Sequence, residues 1–384
     1  MIILEQPYVS DKFIQVAVEH HIPVLSNDMS EHLCRQGYPL NIYTEEAFVE
    51  EYFKRGRIYT MSENALGWLV AHLPDKELLQ KIDLLKNKAT FRKICSGLYP
   101  DFFFCEVDTD KLNSIDASLL KFPLVIKPSI GFLSAGVYVI HNADEWSKTI
   151  KNIEQNFEKE CNQFPEFVVN THKFLIEEYI KGEEYAVDAY FDEQGIPVIL
   201  NIFHHRFASE ADTSDHLYCS SLALYNAYEK AFMDFLEETN RVLGLKNFPM
   251  HIEFRYDGKR AIPIEINPLR FAGFCLNELQ IHISGIHPVW AYLNNMHITK
   301  EQMWKGKEND IYSFMVLERP TDVPANSVFD SEKFKHSLMD VLELREVEAN
   351  VGVAATAFTR TDAAHMQELE AVLNINMHDF MSIK

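Results

Sequence analysis

Apolar and polar residues alternate over two neighbouring segments, 251–256 and 261–267, with an Asp-Gly dipeptide between them. A period of two predicts β-strands with one buried and one polar face, and Asp-Gly is a frequent turn sequence. The polar faces carry Glu253 on the first strand, and Glu265 and Asn267 on the second. These segments predict an antiparallel hairpin, around which the rest of the chain can be organised.

The length of the turn decides whether the two glutamates face each other. A tight two-residue turn would pair Glu253 with Ile262, so that the two carboxylates would point to opposite faces. A loop of three or five residues restores the parity, and a five-residue loop over residues 257–261 sets Glu253 directly opposite Glu265. We therefore predict an odd-length loop, with 257–261 as the first choice, or a β-bulge that changes the parity.

Two opposed carboxylates repel each other and require a cation. With the amide oxygen of Asn267 they form an all-oxygen set that suits Mg²⁺, a metal that keeps waters and takes phosphate oxygens as further ligands. For the hairpin alone, a solvated acidic face without a metal is the commoner interpretation, so the choice depends on the other motifs.

Other periodic segments predict a chain of mixed α/β and α+β type. Short apolar runs predict strands at residues 2–4, 22–25, 57–61, 122–128, 138–140, 174–180, 185–191, 196–203, 311–317 and 351–359. Helical spacing predicts helices at residues 11–21, 44–55, 77–95, 142–160, 223–243, 285–296, 331–342 and 362–373. Residues 208–221 are polar and predict a mobile loop that could close over a site.

Length and composition indicate a globular protein of several parts. With 384 residues, 47% of them hydrophobic, the chain is too long for one ordinary core. We expect an α/β domain over 1–82, a catalytic region over 83–300 and an α+β segment over 301–384. No apolar run approaches membrane-spanning length, and no basic segment precedes the first apolar run as in a signal peptide.

Charge and cysteine usage narrow the classes of partner. A net charge of −21 disfavours nucleic acid and acidic membrane surfaces, so an anionic ligand would need a local basic site or a metal. The six cysteines include no closely spaced pair, which argues against zinc and against a disulfide framework. Reduced thiols fit a cytoplasmic protein.

A candidate anion site follows the apolar strand that ends on Lys127. The next loop contains the small residues Gly131, Ser134 and Gly136, whose exposed N–H groups would suit an anion beside a lysine. This loop is not the P-loop pattern, and no dinucleotide fingerprint is present. A solvated helix face is the commoner interpretation of the basic cluster further upstream, which comprises Lys81, Lys86, Lys88, Arg92 and Lys93.

The order of these motifs resembles the ATP-grasp superfamily of carboxylate–amine ligases, over residues 80–285. After Asn87-Lys88 the chain reads Phe-Pro-Leu-Val-Ile-Lys127-Pro, the small-residue loop, Ile-Glu177-Glu-Tyr-Ile180-x-Gly-x-Glu184, Glu253, and Glu265-Ile-Asn267-Pro. The resemblance implies an ATP-grasp fold with an N-terminal Rossmann-like domain and a C-terminal α+β extension.

The resemblance also implies a nucleotide site built from residues matched to the family. Lys88 and Lys127 would contact the ATP phosphates, with Lys127 also near the adenine and serving in catalysis. The loop with Gly131, Ser134 and Gly136 would fold over the β- and γ-phosphates.

Further matched residues would bind the adenosine and the metal. Glu177 would accept the adenine amino group, the backbone near Tyr179 and Ile180 would meet the ring nitrogens, and Glu184 would bind the ribose hydroxyls. The metal, Mg²⁺ or Mn²⁺, would be held by Glu253, Glu265 and Asn267.

The substrate side departs from the family pattern. Many ATP-grasp ligases place an arginine two residues after the metal-binding asparagine, whereas Arg270 is the third residue here. Arg270 would still bind the carboxylate or the acyl phosphate. His204, His205 and Arg206 close a strand and are further substrate candidates, although solvation of an edge strand explains the histidine pair equally well.

The implied reaction activates a carboxylate as an acyl phosphate and joins it to an amine, often an amino acid, with release of ADP and phosphate. The expected partners are small-molecule carboxylates and amines, with no nucleic acid or membrane, and a homodimer is allowed. The alternatives are a nucleotide sensor or scaffold without turnover, and an ATP-grasp enzyme with a non-amine acceptor.

Overall fold

The computed structural model describes residues 1–6, 8–131, 136–157, 172–209, 212, 214–324, 326–347 and 352–383. The predicted site residue Ser134 therefore lies outside the described residues.

The N-terminal part forms a parallel four-stranded sheet with the order β3-β2-β1-β4. The strands are β1 (Ile2–Ile3), β2 (Pro23–Leu25), β3 (Asn41–Tyr43) and β4 (Tyr59–Thr60), and the helices are α1 (Asp11–Glu19), α2 (Asp28–Arg35), α3 (Glu45–Arg55) and α4 (Glu63–His72). Side-chain oxygens of Ser10, Asn27 and Thr44 cap α1, α2 and α3. The sequence did not predict α2, β3 or α4.

The single helix predicted over residues 77–95 is wrong. Two helices, α5 (Lys76–Lys86) and α6 (Lys88–Cys95), meet at Asn87, whose ψ of 105° is not helical. The Asn87 side chain accepts a hydrogen bond from the N–H of Thr90 and so caps α6. The apolar spacing continues across Asn87, so it did not reveal that the side chain of this residue interrupts the helix by capping a new one.

A second four-stranded sheet is antiparallel, with the order β5-β8-β6-β7. Its strands are β5 (Phe104–Asp108), β6 (Leu124–Pro128), β7 (Tyr138–Ile140) and β8 (Lys173–Glu178), and α7 (Ala143–Asn152) follows β7. This helix agrees with the first part of the predicted helix at 142–160, whose residues 158–160 lie outside the described residues.

The largest sheet has eight antiparallel strands in the order β13-β12-β9-β10-β11-β14-β17-β16. Its strands are β9 (Glu183–Phe191), β10 (Pro197–Arg206), β11 (Leu217–Ser221), β12 (Phe248–Tyr256), β13 (Ala261–Pro268), β14 (Asp310–Glu318), β16 (Val341–Glu346) and β17 (Val353–Asp362), while β15 (Ser327–Phe329) pairs with β18 (Met381–Ile383). Strands of the C-terminal segment thus extend the sheet that contains the hairpin.

The remaining helices cover this sheet and its ends. They are α8 (Leu222–Leu243), α9 (Leu279–Ser284), α10 (Pro288–Leu293), α11 (Lys300–Met303), α12 (Ser331–Lys335) and α13 (Gln367–Leu373). Phe232 and Phe235 of α8 pack against Phe254 of β12, with ring centroids 4.8 and 5.0 Å apart. Because strand side chains alternate, this apolar packing leaves Glu253 on the opposite face.

Three further predictions need correction. The last five residues of the predicted mobile loop at 208–221 form β11, which pairs on both sides with β10 and β14. The helix predicted at 331–342 ends at Lys335, and β16 begins at Val341; the helix predicted at 285–296 shrinks to α10. Sheet pairing provides hydrogen-bond partners that the local sequence does not reveal.

Within the described ranges, no helix has both the length and the apolar character needed to cross a bilayer.

Candidate active site

The hairpin of β12 and β13 sets Glu253 directly opposite Glu265, as predicted. The register changes immediately beside this pair, because the next residue, Phe254, lies opposite Pro263. Ile264 is therefore an extra residue on β13, which defines a β-bulge. The bulge is the device that places both carboxylates on one face.

The turn itself is not the predicted five-residue loop. Tyr256 pairs with Ala261, so the turn contains the four residues 257–260. The Asp257 carboxylate accepts hydrogen bonds from the N–H groups of Lys259 and Arg260, both at 2.8 Å, and this fixes the tight turn. The first-choice loop was wrong, and the alternative of a parity-changing bulge is confirmed.

The same face of the sheet continues with polar residues on the neighbouring strands. Asn267 is buried and lies opposite His251. His251 Nδ1 donates to Asp188 Oδ1 at 2.8 Å, and the N–H of Ala272 donates to the same oxygen at 2.9 Å. Asp188 thus orients the imidazole, whose Nε2 lies 3.9 Å from Glu253.

The two opposed carboxylates repel each other and need positive charge beside them. Burial and the charge of Glu265 raise the pKa of Glu253 to about 7. Lys88 Nζ lies 3.1 Å from Glu265, so one cationic side chain already approaches the pair. A divalent cation would relieve the remaining repulsion, so the donor set of Glu253, Glu265 and Asn267 fits Mg²⁺. The described residues contain no group of three or more His, Cys, Asp or Glu side chains that could hold a metal, so such an ion would depend on the amide and on ligand oxygens.

A buried group of cationic side chains stands beside the carboxylates. Lys88, Arg92 and Lys127 are 7%, 3% and 3% exposed. Glu177 accepts from Arg92 Nε at 2.7 Å and lies 2.6 Å from Lys127 Nζ. Burial opposes ionisation of Glu177, but the two cations outweigh it and lower its pKa to about 2. One carboxylate therefore serves two cations here, which leaves positive charge available for an anionic ligand.

The bulge also connects the hairpin to these cations. Arg92 Nη1 donates to the carbonyl of Pro263 at 2.6 Å. Lys127 Nζ donates to the carbonyl of Ile264 at 3.5 Å. The bulged backbone turns consecutive carbonyls towards the cationic side chains, so the two halves of the site are tied together.

The residues predicted to bind the adenosine form a second network. The Glu184 carboxylate accepts from Arg255 at 3.1 and 3.2 Å and lies 2.9 Å from His205 Nδ1. His205 Nε2 lies 3.0 Å from the carbonyl of Ser214. Because both partners of His205 are acceptors only, its ring must carry protons on both nitrogens. Tyr179 joins this network, accepting from Arg255 Nη1 at 2.8 Å.

The other predicted residues are placed as follows. The Gly131 carbonyl accepts from Lys88 Nζ at 3.0 Å, Gly136 has a positive φ of 72°, and Ile180 is buried. His204 contacts Glu183, and Arg206 forms an ion pair with Glu370.

Arg270 contacts the N-terminal part of the chain. Its Nε lies 3.1 Å from Glu63 at the start of α4, and its Nη1 donates to the Phe271 carbonyl. Lys86 pairs with the same glutamate, and these cations lower the pKa of Glu63 to about 2 although burial opposes it. Thus the contacts that the structure gives Arg270 are with Glu63 and its own backbone neighbour.

Sequence reasoning missed several residues of the site. Arg92 was assigned to a solvated face, although its spacing of four from Lys88 puts both on one face of α6. His251 and Arg255 were overlooked, although they alternate with Glu253 and so share its face. Asp188 carried no signal, since nothing local distinguishes it from another strand carboxylate.

Comparison with known proteins agrees with this geometry. Residues 120–278 match the family model of the ATP-grasp domain. The whole fold is similar to the crystal structure of L-amino acid ligase from Bacillus licheniformis, with a TM-score of 0.68, 18% identity, and coverage of 100% of this chain and 97% of that one. This chain therefore contains an ATP-grasp domain and has the ATP-grasp fold, as the order of its motifs predicted.

Two curated relatives match parts of the chain. A D-alanine–D-alanine ligase of Bacillus anthracis is 34% identical over 90 residues, or 23% of this chain and 25% of the ligase. The carbamoyl phosphate synthase large chain of Clostridium beijerinckii is 28% identical over 160 residues, or 40% of this chain. The matched part spans only 13% of that large chain.

Proposed function

We propose that this protein is an ATP-dependent ligase that joins a carboxylate to an amine and releases ADP and phosphate. The observation that carries the proposal is the pairing of Glu253 with Glu265 beside the buried Lys88 and Lys127. Opposed carboxylates next to lysines match a magnesium–polyphosphate group, because the metal binds the acids and the lysines bind phosphate oxygens. The names of L-amino acid ligase and D-alanine–D-alanine ligase among similar proteins support this class of reaction.

In this proposal the carboxylate attacks the γ-phosphate of ATP and forms an acyl phosphate, and the amine then displaces phosphate. Mg²⁺, held by Glu253, Glu265 and Asn267, would neutralise phosphate charge. Lys88 and Lys127 would bind phosphate oxygens as the ligand draws them from their present carboxylate partners. The chain mainly positions the reactants and neutralises charge.

The adenosine would lie along β8 and β9, with Glu177 at the amino group, the backbone of Tyr179 and Ile180 at the ring nitrogens, and Glu184 at the ribose. The oxygens of Glu177 and Glu184 already accept from cationic side chains, so the nucleotide would add to these networks. The loop from Gly131 to Gly136, with Ser134, would cover the phosphates.

The substrates are small-molecule carboxylates and amines, with His204, His205, Arg206 and Arg270 as substrate-side candidates. A cytoplasmic location and a homodimer belong to the same proposal. The five described cysteines are free thiols, which suits a reducing compartment.

The decisive experiment measures ADP release from ATP and Mg²⁺ with mixtures of carboxylates and amino acids. We expect Glu265→Gln to abolish ADP release with the fold intact, because the substitution removes charge and keeps volume. Glu318→Gln, at an exposed position on β14 of the same sheet, is the matched control and should release ADP normally. Near-normal turnover by Glu265→Gln would remove the metal site from consideration.

Product analysis separates the alternatives. An amide product supports the ligase, whereas a thioester or a phosphorylated hydroxyl compound identifies a different acceptor. Nucleotide binding by calorimetry without ADP release in any mixture would instead indicate a sensor or scaffold.

A further inference from the structure

The side chain of Lys88 joins the hairpin to the segment that follows β6. Its Nζ lies 3.1 Å from Glu265 Oε1 and donates to the carbonyl of Gly131 at 3.0 Å. The N–H of Lys88 donates to the carbonyl of Ser129 at 2.9 Å, and the Asn87 cap fixes the start of α6. The ammonium is therefore held at a defined position against one of the two opposed carboxylates.

Lys88 differs from the other two buried cations in the carboxylate that it holds. Arg92 and Lys127 both pair with Glu177, which is not part of the proposed metal donor set. In the described part of the chain, no other lysine or arginine lies within ion-pair distance of Glu265. Lys88 is thus the cation whose position bears directly on the metal carboxylates.

The carboxylate pair is accessible from solvent, whereas Lys88 is almost enclosed. The side chains of Glu253 and Glu265 are 36% and 24% exposed, and that of Lys88 is 8% exposed. A cation from solution can therefore reach these oxygens without opening the core. It would share Glu265 with an ammonium 3.1 Å away, and repulsion between the two positive charges weakens metal binding. Lys88 and the metal are competitors for one carboxylate.

A polyphosphate offers Lys88 a stronger partner than the present ones. The lysine ammonium has three donors on a flexible four-carbon stem, and it now holds one neutral carbonyl and one carboxylate. A polyphosphate carries several negative charges on one group, and hydrogen bonds between charged groups are the strong ones. A nucleotide bound beside Lys88 would draw the ammonium off Glu265 and leave that carboxylate to the metal.

We propose that Lys88 makes metal binding conditional on the nucleotide, by competing for Glu265 until the phosphates draw its ammonium away. The inference rests on the proposed ligase function and adds an order to its binding steps. In this role Lys88 acts on the metal through Glu265, in addition to its own phosphate contact. Because coupling between two ligands is reciprocal, the metal and the nucleotide should each strengthen the binding of the other.

Metal affinity measured without nucleotide separates this role from phosphate binding. Mn²⁺ is the probe, because electron paramagnetic resonance distinguishes the free ion from the bound one. Lys88→Met keeps the apolar stem and removes the charge, so the Kd for Mn²⁺ without nucleotide should fall by roughly 10- to 150-fold, the range for one charged contact. Replacement of a residue that only binds phosphate would leave that Kd unchanged.

Three further variants control for charge and position. Lys88→Arg keeps a positive charge beside Glu265 and should keep the wild-type Kd for Mn²⁺. Lys127→Met removes a buried cation that pairs with Glu177, and it should weaken ADP binding without a comparable gain for Mn²⁺. Lys93→Met, at an exposed position of the same helix as Lys88, should change neither affinity.

The effect of the nucleotide completes the test. ADP should tighten Mn²⁺ binding in the wild-type protein and by a smaller factor in Lys88→Met, because the competition is already removed there. The gain in Lys88→Met should vanish in the Lys88→Met, Glu265→Gln double variant, because it acts through Glu265. Circular dichroism verifies the fold of each variant, and Lys88→Gln replaces Lys88→Met in the same measurements if the latter fails to fold.

An unchanged or higher nucleotide-free Kd for Mn²⁺ in the folded Lys88 variant would overturn the proposal. Equal tightening by ADP in this variant and in the wild type would overturn it as well. If the wild type binds Mn²⁺ with ADP in either case, the metal site and the ligase function still stand. No Mn²⁺ binding by the wild type even with ADP would instead remove the metal site and the ligase function together with this proposal.

Discussion

Replacement of Arg92 by leucine tests whether the buried cations support the fold as well as the site. Arg92 is 3% exposed, donates to Glu177 and to the Pro263 carbonyl, and stacks over Phe102 at 4.5 Å. Leucine keeps part of the apolar contact and removes the charge. Glu177 would then be buried with Lys127 as its remaining cationic partner.

The expected loss follows from two independent estimates. Removal of one partner of a buried ion pair costs about 3–5 kcal/mol. The drop in the pKa of Glu177 from an ordinary value of 4.5 to about 2 corresponds to about 3 kcal/mol in total, of which Arg92, as one of its two cations, would supply roughly half. We therefore expect Arg92→Leu to lower the free energy of unfolding by about 2–4 kcal/mol, the range between the two estimates.

Urea unfolding followed by tryptophan fluorescence and circular dichroism measures this loss. Lys93→Leu, an exposed position next in the same helix, is the control and should change the unfolding free energy by about 0.5 kcal/mol at most. The Arg92→Leu, Glu177→Gln double variant should not recover the loss, because Lys127 would then be buried without its carboxylate partner.

The pH dependence provides a second measurement. Because the folded pKa of Glu177 is depressed, its contribution is present above pH 4.5 and is lost as the pH falls towards 2. Arg92→Leu should weaken that acid dependence. Unfolding of Arg92→Leu at the wild-type urea concentration, or equal damage by Lys93→Leu, would refute the reasoning.

Three further predictions concern separate parts of the structure. Lys127→Ala should weaken ATP binding roughly 10- to 150-fold through loss of a charged contact; unchanged affinity by calorimetry would exclude this assignment. Because Glu184 raises the pKa of His205 against the effect of burial, the bond from His205 to the Ser214 carbonyl should be intact at and below pH 6.5 and be lost as the pH rises through that raised value. Amide exchange of residues 214–216 should accelerate accordingly, and His205→Gln should remove this dependence; a flat profile in the wild type contradicts it. Gly182→Ala should destabilise the protein by more than about 1 kcal/mol, because φ is +106° and the new Cβ would lie 2.0 Å from a backbone carbonyl, whereas Gly258→Ala has open space and pays only for its φ of +90°; equal urea midpoints for the two would refute the clash.

The hairpin shows how far sequence reasoning could reach. The chemistry of Glu253 and Glu265 demanded one shared face, and this requirement predicted their pairing correctly. The requirement does not choose between a longer loop and a bulge, because both change the parity by one residue. The Asp257 side chain decides for a four-residue turn by accepting two backbone hydrogen bonds, so the extra residue appears at Ile264.

The basic helix shows the opposite case. Five cations on one predicted helix suggested a solvated face, and the interpretation holds for Lys93 but is wrong for Arg92. The resemblance had already placed Lys88 at the phosphates, and Lys88 is buried as well. Their burial depends on Glu177 and Glu265, which lie far along the chain and in other elements. Local spacing cannot show that a distant carboxylate will compensate a buried charge.

The bulge at Ile264 divides the hairpin into two parts, and the strands pair in a different register on each side of it. From Phe254 outwards the strands follow the pairing set by the turn, and from Glu253 inwards they follow a pairing shifted by one residue. Lengthening both strands outside the bulge would move the tip away without sliding one carboxylate past the other. A Cβ at Gly258 would meet no atom within 4 Å, so this turn is the place where a foreign peptide could be grafted while Glu253 and Glu265 keep their alignment.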